Sequence, residues 1–239
     1  MMGNLPPKRA ATVILIRPED NRGFEVFMTR RPAGMNFLGG MYLFPGGSVR
    51  EEDCSENSLR RCFGLSRQQA QRILGGHLSP GFSLAHWVAG IRELFEEAGI
   101  LLCVAEGGGP LDMRETARKE RLYKKRKALI EKSMKFETML ESERLLCDAA
   151  RLVYFSHWST PEEFPIRFDT RFYLALLPAD QSPLSASHEV AQSSWLAPER
   201  ALELCQQGKL PVIFPTYASL RTLANFDSSE DLFAAYRQG

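Results

Sequence analysis

The residues best able to do chemistry in this sequence gather at Arg92-Glu93-Leu94-Phe95-Glu96-Glu97-Ala98-Gly99-Ile100. Trp87, Val88, Ile91, Leu94, Phe95 and Ala98 recur at helical spacing, which predicts an amphipathic helix capped by Gly99. On that helix Glu93 lies three residues from Glu96 and four from Glu97, so the three carboxylates crowd one flank. Like charges so placed destabilise a helix by roughly 0.2–0.5 kcal/mol per pair. The negative end of the helix dipole adds about 0.3–1 kcal/mol against them. Arg92 offsets only part of this. A hard divalent cation, Mg²⁺ or Mn²⁺, would resolve the conflict, because it takes carboxylate oxygens, keeps several waters and bridges to phosphates. A solvated acidic face that tolerates the strain is the competing account. Electrostatics alone does not choose between them.

Stepping outward, Ala11–Arg17 and Phe24–Arg31 are β-branched and aromatic runs joined by a polar loop, the pattern of a hairpin. Met41–Phe44 predicts a third strand, stopped by Pro45-Gly46-Gly47. Ser66 is placed to cap a helix over Arg67–Leu74 that Gly75-Gly76 closes. Ile100–Val104 reads as a buried strand, and the charged stretch from about Asp112 to Arg151 reads as two helices broken near Ser133. Strand patterns return at Leu152–Trp158, Arg171–Leu177 and Val190–Leu196. Helices are predicted at Glu199–Gln206 after Pro198, at Tyr217–Ala224 and at Ser229–Arg237. Strands and helices mix without strict alternation, which predicts an α+β fold with a mixed sheet over a doubly wound one.

Composition sets outer bounds. The chain has 239 residues, 44% hydrophobic and 25% charged, enough apolar content for one domain with insertions. Its net charge of +1 creates no global field toward nucleic acid or membrane. Cys54, Cys62, Cys103, Cys147 and Cys205 form no C-x-x-C pair, which argues against a disulfide framework and suits a reducing cytoplasm. No run reaches the ~18 apolar residues of a membrane span, and Ala11–Ile16 is too short for a secretory leader.

The order of residues carries more than their charge. Arg92 to Ile100 matches the second half of the Nudix signature, R-E-U-x-E-E-x-G-U with U apolar, at every specified position. Five fixed residues give a chance match of roughly one in a million per start point. The first half, a glycine and a glutamate, is missing at its usual spacing, where Leu78 and Leu84 stand. Phe44-Pro45-Gly46-Gly47 instead resembles the opening of the box, with Asp53 in the glutamate's place and an insertion of about 30 residues before Arg92. This split box, with Met28-Thr29-Arg30-Arg31, Arg167-Phe168-Asp169-Thr170-Arg171-Phe172 and Phe214-Pro215-Thr216, resembles the coenzyme A diphosphatase-like branch of the Nudix superfamily. The fold implied is a Nudix-like α/β/α sandwich spanning residues 1–239, with helical insertions at about 54–84 and 107–150.

The activity implied is metal-dependent cleavage of the phosphoanhydride of a nucleoside diphosphate conjugate, coenzyme A or an acyl form foremost. ADP-ribose, NADH and dinucleotides are the alternatives within the enzyme class, and a non-catalytic nucleotide sensor is the alternative outside it. By the resemblance, Glu93, Glu96 and Glu97 hold Mg²⁺ or Mn²⁺, Glu93 takes a proton from water, and Arg92 locks a carboxylate by a bidentate pair. Gly46 or Gly47 lends a carbonyl. Glu189 is the candidate distant acid and His188 a candidate relay, whereas His77, His86 and His157 show no ligand spacing. Arg30 and Arg31 are placed to reach phosphate, and Phe37, Tyr42 and Phe44 to stack a base or to fill the core. The basic run Arg114, Arg118, Lys119, Arg121, Lys124, Lys125, Arg126 and Lys127 reads as a solvated helix face, or else as a phosphate or RNA contact. Leu122, Leu129, Met134 and Met139 could instead make a homodimer arm.

Overall fold

Residues 8–18 bury side chains on both sides, Ala11, Val13 and Leu15 toward one apolar cluster and Ile14 and Ile16 toward another, as a central strand must. The computed structural model describes residues 6–19, 23–184 and 190–237. In chain order, the amino-terminal strands are β1 (Lys8–Pro18), β2 (Phe24–Arg30), β3 (Tyr42–Leu43) and β4 (Gly46–Ser48). A 3-10 turn at Glu51–Cys54, α1 (Glu56–Arg60), β5 (Cys62–Phe63) and α2 (Arg67–Ile73) follow, leading into α3 (Pro80–Ala98). After β6 (Cys103–Ala105) come α4 (Thr116–Ile130), α5 (Phe136–Ser142) and β7 (Leu145–Asp148). The chain then forms β8 (Val153–Ser159), β9 (Phe168–Leu176), β10 (Gln192–Leu196), α6 (Pro198–Gln206), α7 (Phe214–Leu223) and α8 (Ser229–Arg237).

The main sheet runs β10-β2-β1-β9-β8, with β3 beside β2 and β4 beside β1. Only β1 and β9 pair in parallel, so the sheet is mixed, as expected. On one face lie α3 and the insertions, with Trp87 packed on Tyr173 and donating from Nε1 to the Leu152 carbonyl at 3.1 Å. On the other, Leu220 and Leu223 of α7 and Leu232 and Phe233 of α8 cover Ile14, Met28 and Leu174. This is the three-layer sandwich expected.

Local signals form the helix ends, with Ser66 and Gly99 as predicted and Ser79 and Pro80 added by the structure. Ser66 caps α2 and exchanges a reciprocal pair of hydrogen bonds with Gln69. Ser79 caps α3, Pro80 opens it and Gly99, at φ +74°, closes it in the left-handed conformation.

Three expectations are corrected. The stretch before Arg151 is not helical throughout: Leu145–Asp148 is a strand, because Leu145 and Cys147 are buried and the backbone pairs with both β5 and β6. Ile100–Leu102 is buried but joins no strand, and only Cys103–Ala105 pairs. The apolar residues offered as a dimer arm belong to the chain's own core, for Leu122, Leu129 and Met139 are buried against α3 and its neighbours and Met134 packs beside them. Strands β5, β7 and β6 form a second sheet in the order β5-β7-β6.

Candidate active site

Every residue of α3 from Ser83 to Ala98 is buried. Arg92 has no exposed surface, and Glu93, Glu96 and Glu97 are 7, 7 and 8% exposed. That removes the solvated acidic face. Charges taken out of water must be met by partners of opposite sign, and the partners are visible.

Arg92 is the centre of the arrangement. Its Nε and Nη2 donate to Asp53 Oδ1 and Oδ2 at 2.8 and 2.9 Å, a bidentate pair. Nη1 donates to Glu93 Oε1 at 2.6 Å and Glu96 Oε1 at 3.3 Å, and Nη2 also reaches the Ser48 carbonyl at 2.9 Å. Burial opposes the Arg92 charge, but Asp53, Glu93 and Glu96 outweigh it and hold the guanidinium firmly protonated. Asp53 is presented by the 3-10 turn and accepts the Arg50 backbone N–H at 2.8 Å. The carboxylate to be locked by Arg92 is thus that of Asp53, which joins the two halves of the split box across the first insertion. Its shorter side chain suits the task.

Two further arginines bear on these carboxylates, of which Arg50 is absent from the sequence-predicted candidates and Arg126 belongs to the basic run. Arg50 grips Glu96 with both terminal nitrogens, Nη1–Oε1 at 3.0 Å and Nη2–Oε2 at 2.8 Å, and lies 3.9 Å from Glu93. Arg126 reaches from α4 to the carboxyl end of α3, donating to the carbonyls of Phe95 at 2.8 Å and Glu96 at 2.6 Å. It therefore satisfies helix-end carbonyls and places a positive charge at the negative end of the dipole. Arg126 was read as part of a solvated basic face, which is corrected here: it is 5% exposed. A signal existed, because Leu122, Arg126 and Leu129 share one helical face. The pairing of Arg50 with Glu96 had none.

The glycine turn meets α3 directly. Gly46 N donates to Glu97 Oε2 at 3.1 Å. A Cβ on Gly47 would stand 2.6 Å from the Glu93 carboxyl carbon, and one on Gly46 2.6 Å from the Ala11 carbonyl. Only glycines permit this approach. Burial, reinforced by Glu96 and opposed by Arg92, raises the Glu93 pKa above its ordinary value.

These residues fit a divalent cation. The donors are hard oxygens, and four carboxylates (Asp53, Glu93, Glu96, Glu97) face two guanidiniums (Arg50, Arg92), leaving two negative charges when all are ionised. Among the described residues no three Asp, Glu, His or Cys side chains converge as a closed metal cage, and Glu96 is engaged by Arg50. A Mg²⁺-like ion needs only one or two carboxylates beside its waters and substrate phosphates. Glu93 and Glu97, on either side of the Gly46–Gly47 backbone, meet that need.

The remaining candidates lie elsewhere. Glu189 and His188 fall outside the described residues. Arg30 is exposed, lies over the Tyr42 ring and donates to the Gly40 carbonyl at 3.2 Å, while the Arg31 Nε is buried without a hydrogen-bond partner among the described residues. Tyr42 and Phe44 are core residues, and the half-exposed Phe37 packs on Phe168. His86 is buried in α3 against the Phe82 carbonyl, and His157 pairs with Asp169.

Comparison with known proteins bears on this arrangement. Acyl-coenzyme A diphosphatase NUDT19 of Xenopus laevis is 27% identical over 237 residues, covering 87% of this chain and 62% of that protein. The protein of the same name from Gallus gallus is 29% identical over 241 residues, covering 87% and 63%. The chain thus spans about three-fifths of the length of these relatives. The crystal structure of a Nudix hydrolase from Alicyclobacillus acidocaldarius superposes with a TM-score of 0.77 at 28% identity, covering 96% of both chains. Residues 7–223 match the family model described as the NUDT19 Nudix domain. That match runs from β1 through α7 and takes in Gly47, Asp53, the insertions and α3, so the chain belongs to the NUDT19 Nudix domain family.

Proposed function

We propose that this protein is a divalent-metal-dependent hydrolase that cleaves the phosphoanhydride of a nucleoside diphosphate conjugate, with coenzyme A or an acyl-coenzyme A as substrate. One observation carries the reading: Glu93 and Glu97 lie nearly dry against a glycine turn, Glu97 accepting the Gly46 N–H and Glu93 gripped by an arginine that is itself locked to Asp53. A merely structural helix has no use for so many buried charges, since well-packed apolar residues would serve stability equally or better. The substrate class rests on the relatives named acyl-coenzyme A diphosphatase.

Glu93, Glu97 and the Gly47 carbonyl would hold the cation, Mg²⁺ or Mn²⁺, with Glu96 joining once Arg50 releases it. When bound, the ion neutralises diphosphate charge and acidifies water. Glu93, fixed against Gly47 beside the place of the cation, would accept a proton from that water. Arg92 holds the Glu93 carboxylate in place and is fixed in turn by Asp53 and Ser48. Arg31 has a buried donor without an acceptor among the described residues, which a substrate phosphate would supply, and Arg30 lies next to it. Glu189 is the further acidic residue proposed for this site. A small-molecule substrate accounts for these features without nucleic acid, and among the described residues no helix is long and apolar enough to cross a membrane.

The test is a substrate panel of coenzyme A, acyl-coenzyme A, ADP-ribose, NADH and diadenosine polyphosphates with Mg²⁺ or Mn²⁺. Cleavage at the diphosphate is expected, abolished by chelator and reduced at least ~100-fold by Glu97→Gln, the scale of losing a principal charge-stabilising group. Tight nucleotide binding with no turnover in either metal would establish a sensor and end this reading.

A further inference from the structure

The second sheet holds chemistry that the hydrolytic site does not use. Cys62 of β5 and Cys103 of β6 both lie directly opposite Cys147 of β7, so three thiols form one row across three strands. The Cys62 Sγ donates to the Ser58 carbonyl at 3.8 Å, and the neighbouring thiols help to raise the pKa of both Cys62 and Cys147 well above the ordinary thiol value. Cys103 and Cys147 are buried, whereas Cys62 is partly exposed at one end of the row.

Register fixes the backbone geometry. Asp148 N donates to the Leu102 carbonyl and Glu106 N to the Arg144 carbonyl, so Cys103 and Cys147 occupy the non-hydrogen-bonded type of antiparallel pair. Cα atoms of such a pair lie about 4.5 Å apart, and neighbouring parallel strands about 4.8 Å. Both spacings fall within the ~4.4–6.8 Å that a disulfide spans. Among the described residues no three ligating side chains are disposed to hold a metal ion, and a straight row sets its outer sulfurs on opposite sides of the middle one. Redox chemistry fits this row better than coordination.

We infer that Cys62, Cys147 and Cys103 form a thiol–disulfide site in which Cys62 takes the oxidising equivalent and Cys147 closes the disulfide. The oxidant is a small disulfide of the glutathione class. The Cys62 sulfur, as thiolate, attacks one sulfur of the oxidant, releasing one small thiol and leaving a mixed disulfide. The Cys147 sulfur then attacks Cys62 and releases the second thiol. Two electrons and both protein thiol protons end on the two released thiols. Cys103, opposite Cys147 on the other side, can exchange into the new bond. The neighbouring thiols, and then burial, hold Cys62 and Cys147 protonated, so the exchange is slow and needs oxidant in excess. The product ties β5 of the first insertion to β7 of the second, beside the turn that carries Asp53.

Mass mapping of the native full chain after incubation with excess oxidised glutathione, with free thiols alkylated, tests this. A Cys62–Cys147 linked peptide is expected, reversed by dithiothreitol, retained in Cys103→Ser, Cys54→Ser and Cys205→Ser, and accompanied by a higher melting temperature. Cys147→Ser should instead accumulate glutathione on Cys62. The inference is overturned if native protein carries glutathione only at Cys54 or Cys205, if the link appears only after unfolding, or if Cys62→Ser forms a Cys103–Cys147 link as readily as the parent forms its own. The wild-type map alone suffices where a serine variant fails to fold.

Discussion

Asp53→Asn isolates the junction between the two halves of the split box. Asparagine has nearly the volume of aspartate but lacks the charge that meets Arg92 on two of its nitrogens. Asp53 is 1% exposed and Arg92 fully buried, so water cannot replace the lost partner. Its amide nitrogen would also face a donor in either orientation, Arg92 Nε in place of Oδ1, or both Arg92 Nη2 and the Arg50 N–H in place of Oδ2. Removing one member of a buried ion pair costs about 3–5 kcal/mol. Arg92 keeps Glu93, Glu96 and the Ser48 carbonyl, which places the expected loss near ~3 kcal/mol, the lower end of that range. For a chain of this size that is a fall in Tm of roughly 6–12 °C. Urea unfolding followed by circular dichroism measures it, with Asp53→Glu as the control that restores charge on a longer arm. A variant within about 1 kcal/mol of the parent, well outside the range for a broken buried pair, would show that the Asp53–Arg92 pair does not hold the box together.

Other perturbations probe the same frame. Gly47→Ala places a methyl 2.6 Å from the Glu93 carboxyl carbon, and should weaken Mn²⁺ binding at least tenfold by electron spin resonance, with a stability loss of only about 1–3 kcal/mol; unchanged affinity would remove Glu93 from the cation site. Arg126→Met keeps the bulk of the side chain but orphans the Glu96 carbonyl, and should lower stability by about 1–3 kcal/mol in denaturant titration. His86 shows its effect through pH. Burial lowers its pKa from 6.5 to about 4, so the folded chain keeps it neutral while the unfolded chain takes up a proton below pH 6.5. Its contribution is therefore flat above pH 6.5, and stability falls as pH drops from 6.5 to 4, by about 2 kcal/mol at pH 5. His86→Gln should flatten that segment of the stability–pH curve, and curves parallel to the parent's would refute the assignment.

What the sequence determined by itself was local. The spacing of Trp87, Ile91, Leu94 and Ala98 specifies α3, and Gly99 ends it, because helix formation and capping depend on residues within one or two turns. The same reasoning found Ser66 and the bend at Gly46–Gly47, and the order of Arg92, Glu93, Glu96 and Glu97 marked the candidate site before any contact was known. Tertiary structure decided which charges meet. Arg50 and Glu96 are far apart in the chain, Arg126 comes from the second insertion, and the strand at Leu145–Asp148 exists only because β5 and β6 flank it. Such pairings depend on where whole elements dock, and a two-residue strand or a single buried arginine in a basic run leaves no periodic trace. The carboxylates could be seen to conflict from their spacing alone; that arginines from three separate segments relieve them could be seen only once α3 was buried among the insertions.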